Sequence, residues 1–469
     1  MNACKFNEAL VRAALALQDP RLPTQWPIGI VRDVYGKLRF AVDAWRPLED
    51  GESAEWQRSR TLPEDVYPAD ALALLAGAAE HLHPYGSANG LLFRDDFSNP
   101  ASLFKNPDWY QTLVTVPAST AEDGSMVHAR EITVRLLDRQ IIGQDWLRTR
   151  RFEEHGHPPR VVFYGLKGGV GRSTALAMLA YRLARDGKRV LLIDFDLESP
   201  GLSGLLLPQE RVAPFGLVDW FVEDAVGQGD DVLRDMVSLS PLSDQTEGSI
   251  HVAAAMGQGE TAYLSKLARA YADTPSPTGH KTFADRMVRL TQLLEKQVQP
   301  DIVLIDSRAG LHDVAAVAIG GLASVALLFA TDAEQNWQGY RQLFNHWHQR
   351  PEVLRQVRNR IVMVQALFPE NDQVQRASRF VQNAWDLFSE LIYDGLEPGA
   401  EWPDDAFSFD LHNEDGPHFP MRVRWNARFQ EFNPLQGSKA GGVDDTDIDL
   451  AFGPFVQEVI DALPGLTHD

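Results

Sequence analysis

Cysteine is almost absent from this chain of 469 residues, where Cys4 is the only one. A single cysteine excludes an internal disulfide and any metal site built from several thiolates, and it is typical of a reducing compartment. The first residues lack the basic-then-apolar pattern of a secretion signal, and no uninterrupted apolar run approaches the roughly 20 residues that cross a bilayer. We therefore expect a cytoplasmic protein without a membrane span.

Positive charge is also scarce. The chain has 65 acidic residues against 44 lysines and arginines, for a formal net charge of -21. Such a chain gains little from counterion release, which drives non-specific binding to DNA. The basic clusters at 148–151 and 355–360 are typical of a solvated linker and a surface turn. The C-terminal segment 452–463 is acidic on its polar face, unlike a membrane-surface helix. Neither nucleic acid nor a membrane is therefore expected as a partner.

A glycine-rich turn stands between an apolar strand and an apolar helix. Residues 161–164 are β-branched or aromatic, as in a buried strand, and 175–184 have the pattern of a helix. Between them, Gly168, Gly169 and Gly171 let the backbone turn tightly and direct its N–H groups inward. The following helix N-terminus adds positive potential, so the turn predicts a phosphate site.

The turn departs in two places from the common phosphate-loop pattern G-x-x-x-x-G-K-[ST]. Leu166 stands where the first glycine would be, and Arg172 stands where the lysine would be. Arginine keeps the positive charge, but its planar fork is not equivalent to an ammonium at a tight phosphate site. Ser173 follows, and its hydroxyl is of the kind that contacts magnesium in such loops.

Two further apolar strands end in aspartates. Residues 188–193 lead to Asp194 and Asp196, and residues 300–305 lead to Asp306. Singly, each aspartate could cap a helix or form a turn. Together they stand after strands whose carboxyl ends would share one edge of a parallel sheet, where ligands bind. Asp306 is then suited to hold magnesium, which keeps part of its hydration while neutralising phosphate oxygens.

The segment Lys167-Gly-Gly-Val-Gly-Arg-Ser-Thr174, with both acidic motifs after it, resembles the deviant Walker A loop of the ParA/MinD superfamily of dimeric, SIMIBI-class P-loop ATPases. The resemblance implies ATP and Mg²⁺ as ligands. It implies that Lys167 reaches the partner's nucleotide, that Asp196 orients the attacking water, and that Ser173 and Asp306 hold the metal. The phosphates would be held by Gly168, Gly169, Val170, Gly171, Arg172, Ser173 and Thr174. The Gly-Arg-Ser variant is similar to ParA-like proteins of bacterial conflict and signalling loci.

The order of strands and helices indicates two domains. After residue 160, strands and helices alternate, which predicts an α/β fold with a doubly wound, mainly parallel sheet over 160–469. Residues 153–159 are rich in proline and glycine, which interrupt helices and strands, and they predict a linker. Residues 1–152 predict an α+β accessory or sensor domain, with a hairpin across 28–42 and a helix over 70–82 capped by Asp70.

Length and position suggest roles for further segments. The long stretch 208–296 exceeds a minimal crossover and predicts a dimer or partner surface. The resemblance places adenine contacts in loops after the late strands, which here are 365–369 and the turn that contains Asn426.

These features predict an ATP-hydrolysing switch that forms a homodimer with ATP and controls a partner or effector protein through its N-terminal domain, in a setting such as anti-phage defence. Three alternatives stay open. A non-hydrolysing nucleotide-binding scaffold has Arg172 as its main evidence. A ParA-type partitioning or positioning protein would have the same loop. A kinase or other transferase would need an acceptor pocket rather than dimer closure, and Lys167 counts against it.

Overall fold

The computed structural model describes residues 4–47, 66–120, 126–148, 156–259, 262–276, 279–395, 406–429, 435 and 445–463. The chain divides into two compact units, Met1–Leu147 and Arg148–Asp469. Part of the predicted linker, residues 153–155, lies outside the described residues. No helix among the described residues is both long and apolar enough to span a bilayer.

The first unit has a mixed five-stranded sheet in the order β3-β2-β1-β7-β4. The antiparallel pairing of β1 with β2 confirms the predicted hairpin, whereas β1 with β7 and β2 with β3 are parallel. The strands are β1 (Ile28–Arg32), β2 (Leu38–Val42), β3 (Gly86–Leu92), β4 (Tyr110–Val116), β5 (Ser119–Thr120), β6 (Met126–Val127) and β7 (Arg130–Asp138). The helices are α1 (Phe6–Ala16), α2 (Ala69–Glu80) and α3 (Ala101–Phe104).

Helix α2 corrects one detail of the sequence prediction. Its N-cap is Pro68, at φ -65, and Asp70 lies inside the first turn. Proline has its φ fixed near the helical value and lacks the N–H that would go unpaired at a helix start, so it fits that position. Asp70 instead places a negative charge near the positive end of the helix dipole.

The second unit is built on an eight-stranded sheet in the order β10-β11-β9-β14-β8-β15-β16-β17. Neighbouring strands are parallel except for β10 with β11. The predicted doubly wound, mainly parallel sheet is therefore confirmed. The strands are β8 (Arg160–Gly165), β9 (Arg189–Asp194), β10 (Val237–Leu239), β11 (Ser249–Ala253), β12 (Thr274–Ser276), β13 (Gly279–Lys281), β14 (Ile302–Asp306), β15 (Val325–Ala330), β16 (Ile361–Phe368) and β17 (Met421–Arg424), of which β12 and β13 form a separate pair.

Helices pack against both faces of this sheet, and β8, β14 and β15 are buried along their whole length. Strand β14 lies between β8 and β9, so the loops after these three strands meet at one edge. The helices are α4 (Arg172–Arg185), α5 (Leu202–Leu206), α6 (Leu217–Ala225), α7 (Gly229–Leu233), α8 (Tyr263–Ala270), α9 (Phe283–Val298), α10 (Asp313–Val317), α11 (Glu334–His348), α12 (Pro351–Val357), α13 (Gln373–Leu391) and α14 (Asp445–Asp461).

Candidate functional site

The glycine-rich loop forms an open backbone cradle between β8 and α4. Gly169 and Gly171 have φ of 75 and 76, a left-handed conformation that strongly favours glycine. Gly171 caps α4 without a side-chain hydrogen bond, so the first N–H groups of the helix are not occupied by a cap. A Cβ atom on Gly168 or Gly169 would meet no protein atom within 4 Å. This geometry is suited to an anion as large as a phosphate group.

Val170 and Leu166 hold the cradle in place. The Val170 side chain is buried in the core of the second unit, so only its backbone is available to a ligand. Leu166 packs against α11, where a Cβ on Gly339 would lie 2.9 Å from the Leu166 Cδ1 atom. The leucine at the position of the usual first glycine is therefore accommodated by a glycine on a neighbouring helix.

Arg172 is buried, and it joins the two acidic motifs. Its Nε donates to Asp306 Oδ1 at 2.7 Å, and its Nη2 donates to Asp196 Oδ2 at 3.1 Å. Burial opposes the charged form, but Asp306 and Asp196 together hold the pKa of Arg172 above its ordinary value. Its Nη1 is buried and has no hydrogen-bond partner among the described residues. A buried N–H group without an acceptor costs free energy, so this donor favours the binding of an acceptor atom.

Ser173 and Asp306 form the candidate metal site. Ser173 Oγ donates to Asp306 Oδ2 at 2.6 Å, which leaves the lone pairs of the hydroxyl oxygen for another partner. Hydroxyl and carboxylate oxygens are ligands that magnesium prefers. Within the part of the chain that the structure describes, no group of three or more His, Cys, Asp or Glu side chains is placed to hold a metal. The residues therefore fit a magnesium ion that is shared with phosphate oxygens.

Asp194 and Asp196 have different surroundings. Asp194 is fully buried, and it accepts hydrogen bonds from the backbone N–H groups of Asp196, Gly201 and Leu202, so it fixes the loop that follows β9. Burial, and then the charge of Asp306, raise the pKa of Asp194 well above its ordinary value. Asp196 is partly exposed, and burial raises its pKa although Arg172 opposes this. Asp196 is therefore the carboxylate that is accessible to a reactant.

Lys167 lies at the mouth of the cradle. Its side chain is exposed and makes no hydrogen bond or ion pair with the described residues. The structure therefore brings Arg172, Ser173, Asp196 and Asp306 together, and leaves Lys167 at the rim.

A cluster around Glu198 was missed by the sequence prediction. The Tyr271 hydroxyl donates to Glu198 Oε1 at 2.5 Å, Arg308 forms an ion pair with the same carboxylate, and His312 Nε2 lies 3.9 Å from it. Tyr263 donates to the Leu197 carbonyl at 2.6 Å. Two tyrosines from the segment between β11 and α9 thus hold the loop that carries Asp196. The signal in the sequence that could have pointed to this loop is the alternation of the carboxylates Asp194, Asp196 and Glu198.

A cleft of about 430 Å³ opens beside the cradle. Gly169, Gly171 and Thr174 line it. Its other lining residues are Leu367, Val423, Arg424, Trp425, Asn426, Phe429 and Phe452. Its size is within the range of small-molecule sites, and aromatic side chains such as Trp425 offer a flat apolar face for a ring. The cleft therefore suits a planar base next to the phosphate cradle.

Leu367 and Gln365 face different surroundings because the pairing of β16 with β17 shifts register between Gln365 and Phe368. Leu367 has φ of 52 at this irregularity, a strained conformation for a bulky residue, and it lines the cleft. Gln365 does not line it, because its side chain accepts from Arg422 Nε at 3.3 Å and donates to the Arg376 carbonyl. Of the predicted base contacts, Leu367 and Asn426 lie at the cleft and Gln365 lies away from it.

A match to a protein family lies within the second unit. Residues 161–385 match a family described as the CobQ/CobB/MinD/ParA nucleotide binding domain. A stretch of 52 residues, 11% of this chain, is 48% identical to the chromosome-partitioning ATPase Soj of Thermus thermophilus, and it spans 21% of that protein.

Solved structures with similar chain paths include pNOB8 ParA, which is 19% identical, with 65% of this chain and 98% of that chain covered at a TM-score of 0.41. They also include a complex of Cyanothece McdA with ATP, which is 16% identical, with 67% and 99% covered at a TM-score of 0.40. Residues 161–385 are therefore similar to the CobQ/CobB/MinD/ParA nucleotide binding domain, a likeness that covers slightly less than half of the chain.

Proposed function

We propose that this protein is a magnesium-dependent, ATP-binding and ATP-hydrolysing switch that dimerises with ATP and controls a protein partner. One observation carries the proposal. The open cradle of 168–171 ends at Arg172, whose buried Nη1 has no partner among the described residues, and this donor lies within the cluster that joins Ser173, Asp196 and Asp306. A cleft that suits a planar base opens beside the same cradle.

The groups present are sufficient in kind for phosphoryl transfer, in which catalysis is mainly positioning and neutralisation of charge. The backbone of 168–174 and Arg172 would hold the phosphates. Ser173 and Asp306 would hold magnesium, which neutralises phosphate oxygens when it is bound. Asp196 would orient the attacking water. Asp196 accepts from Arg172 through Oδ2, which leaves Oδ1 to accept a hydrogen bond from water.

Dimer formation with ATP is supported by two exposed side chains near the cradle. Lys167 is an exposed charge that makes no hydrogen bond or ion pair with the described residues and so is available to a second nucleotide. Leu311 is 47% exposed. It lies close to the end of β8, because the N–H of the preceding residue, Gly310, donates to the Gly165 carbonyl. An apolar side chain and an unpaired lysine at the same sheet edge suit a face that a second copy covers.

The N-terminal unit is proposed to recruit or sense the partner. It is compact by itself, with its own buried core around Ile30, Phe40 and Leu75. A role in controlling an effector, including one in anti-phage defence, rests on the likeness of Gly171-Arg172-Ser173 to ParA-like proteins of conflict loci.

A non-hydrolysing scaffold is the second candidate. Arg172 engages both Asp196 and Asp306, the two carboxylates that hydrolysis needs. If the arginine kept both contacts with nucleotide and magnesium both present, the site would hold ATP without turning it over.

A partitioning or positioning role like that of Soj would require a basic surface if it used DNA. Within the basic cluster of 355–360, Arg358 pairs with Asp394, and Arg360 donates to the carbonyls of Ala323 and Gly320. These arginines are therefore engaged within the unit. Together with the net charge of -21, this does not favour non-specific DNA binding.

The test is ATP hydrolysis in magnesium by the wild type, Lys167→Ala and Asp196→Ala, with molar mass measured with and without ATP. Lys296→Ala is the matched control, since it removes an exposed lysine from α9 in the same unit. We expect both test variants to lose turnover, Lys167→Ala also to lose the ATP-dependent doubling of mass, and the control to behave like the wild type.

Tight ATP binding by the wild type without turnover would favour the scaffold. Turnover by a monomer that Lys167→Ala leaves intact would contradict the dimeric switch.

A further inference from the structure

We infer that Arg172 allows this site to bind a nucleoside triphosphate without magnesium, so that the metal governs turnover and not binding. The inference rests on the proposed nucleotide-binding function. The two carboxylates of the site, Asp196 and Asp306, share one arginine as their cationic partner.

Two carboxylates next to a phosphate loop repel a bound triphosphate. Asp196 and Asp306 lie at adjacent strand ends, and a triphosphate bound in the cradle adds further negative charge. A magnesium ion usually relieves this repulsion, because it binds carboxylate and phosphate oxygens together. Binding then depends strongly on the metal.

In this chain, Arg172 pairs with both carboxylates and offsets part of their negative charge. It is 8% exposed, and it bonds Asp306 through Nε at 2.7 Å and Asp196 through Nη2 at 3.1 Å. Asp306 accepts one hydrogen bond on each oxygen, since Ser173 donates to the second at 2.6 Å. The cluster is thus preorganised around a fixed cation that comes from the chain itself.

The guanidinium still has donors to spare. It carries five N–H bonds in a planar fork, and the contacts to Asp306 and Asp196 use one on Nε and one on Nη2. Nη1 is buried and makes no hydrogen bond with any described residue. The inference requires that a phosphate oxygen accept from Nη1 while both carboxylates stay paired.

A lysine could not do the same. An ammonium has three donors on one atom, and it is a point charge that cannot span two carboxylates and a phosphate in fixed directions. Replacing Arg172 by lysine should therefore restore the need for magnesium, although it restores the residue of the common loop pattern.

The experiment measures the affinity of the full chain for the non-hydrolysable β,γ-imido analogue of ATP by equilibrium dialysis, in magnesium and in excess EDTA. The wild type, Arg172→Lys and Arg172→Gln are compared. We expect the wild-type dissociation constant to change by less than about threefold between the two conditions, and that of Arg172→Lys to rise at least about tenfold in EDTA. Arg172→Gln should bind weakly in both conditions, because the charge is lost.

Each other outcome is decisive. If the wild type loses about tenfold or more of its affinity in EDTA, the inference is overturned by the wild type alone. Equal metal independence of Arg172→Lys overturns the role of the arginine fork. Absence of binding by the wild type even in magnesium instead refutes the proposed nucleotide-binding function.

Discussion

The left-handed glycines of the cradle allow a prediction whose size follows from the backbone. Gly171→Ala places a Cβ at φ 76 and 3.4 Å from the Leu367 Cδ2 atom, and Gly169→Ala places one at φ 75 in open space. A left-handed conformation costs an L-residue about 1–2 kcal/mol relative to glycine. Gly168 does not have a positive φ, and a Cβ there meets nothing within 4 Å. Gly168→Ala is therefore the matched control.

The assay is urea unfolding of the nucleotide-free chain, followed by circular dichroism. We expect Gly171→Ala and Gly169→Ala each to lower the free energy of unfolding by about 1–2 kcal/mol, with the larger effect at Gly171. Gly168→Ala should lie within about 0.5 kcal/mol of the wild type. A control as destabilised as Gly171→Ala, or a neutral Gly171→Ala, would refute the assignment of strain to these two positions.

Three further changes test the cleft, a buried histidine and the Glu198 cluster. Trp425→Ala should weaken binding of the ATP analogue by a factor of about 5 to 100 in equilibrium dialysis, because stacking contributes roughly 1–3 kcal/mol per base, whereas the exposed Tyr35→Ala should bind like the wild type. Burial lowers the pKa of His418 below 6.5, so its contribution to stability is full above that pH and is lost as the pH falls toward the folded-state pKa. The urea midpoint should therefore fall more between about pH 7.5 and about pH 5.5 in the wild type than in His418→Gln; an equal fall in both proteins would contradict this. Tyr271→Phe keeps the ring but removes the bond to Glu198, and should lower the free energy of unfolding by about 1.5–3 kcal/mol in urea; an unchanged value would show that the hydroxyl does not hold this carboxylate.

The parts of the fold that depend on local sequence could be predicted. A glycine loop between an apolar strand and an apolar helix is a local pattern, and so are the apolar runs that end at Asp194 and Asp306. The start of α4 could not be located as well. Arg172, Ser173 and Thr174 are polar and give no apolar periodicity, so the sequence predicts a helix from 175 where the structure begins it at Arg172.

The contacts that make the site depend on distant parts of the chain. Arg172 and Asp306 are 134 residues apart, and Tyr271 and Glu198 are 73 residues apart. The sequence predicts which end of the sheet these residues approach, but a pairing between two side chains is set by the packing of the strands and of the segment between β11 and α9. Arg172 is therefore predictable as a phosphate contact and not as the group that joins both carboxylates.

The base cleft shows how one irregularity changes a prediction. Position after a late strand suggests 365–369 as base contacts, and regular alternation along a strand would put Gln365 and Leu367 on the same face. The register shift before Phe368 and the left-handed backbone of Leu367 alter that alternation, so Leu367 meets the cradle while Gln365 is held by Arg422. No sequence signal such as glycine marks this position, because a leucine occupies the strained conformation.

The measurement that tests the central claim most directly is binding of the non-hydrolysable ATP analogue to the wild type and to Gly168→Glu in magnesium. The glutamate would enter open space in front of the cradle, with no left-handed strain, and would set a carboxylate against the phosphates. Like charges about 4 Å apart repel by about 4 kcal/mol at an effective dielectric constant near 20, which predicts more than about a hundredfold loss of affinity. Gly168→Ala controls for the side-chain stem, and thermal unfolding without nucleotide controls for the fold. Saturable binding by the wild type that Gly168→Glu abolishes, with folding unchanged, is the predicted result. Equal binding by Gly168→Glu and the wild type would show that the triphosphate does not lie in this loop.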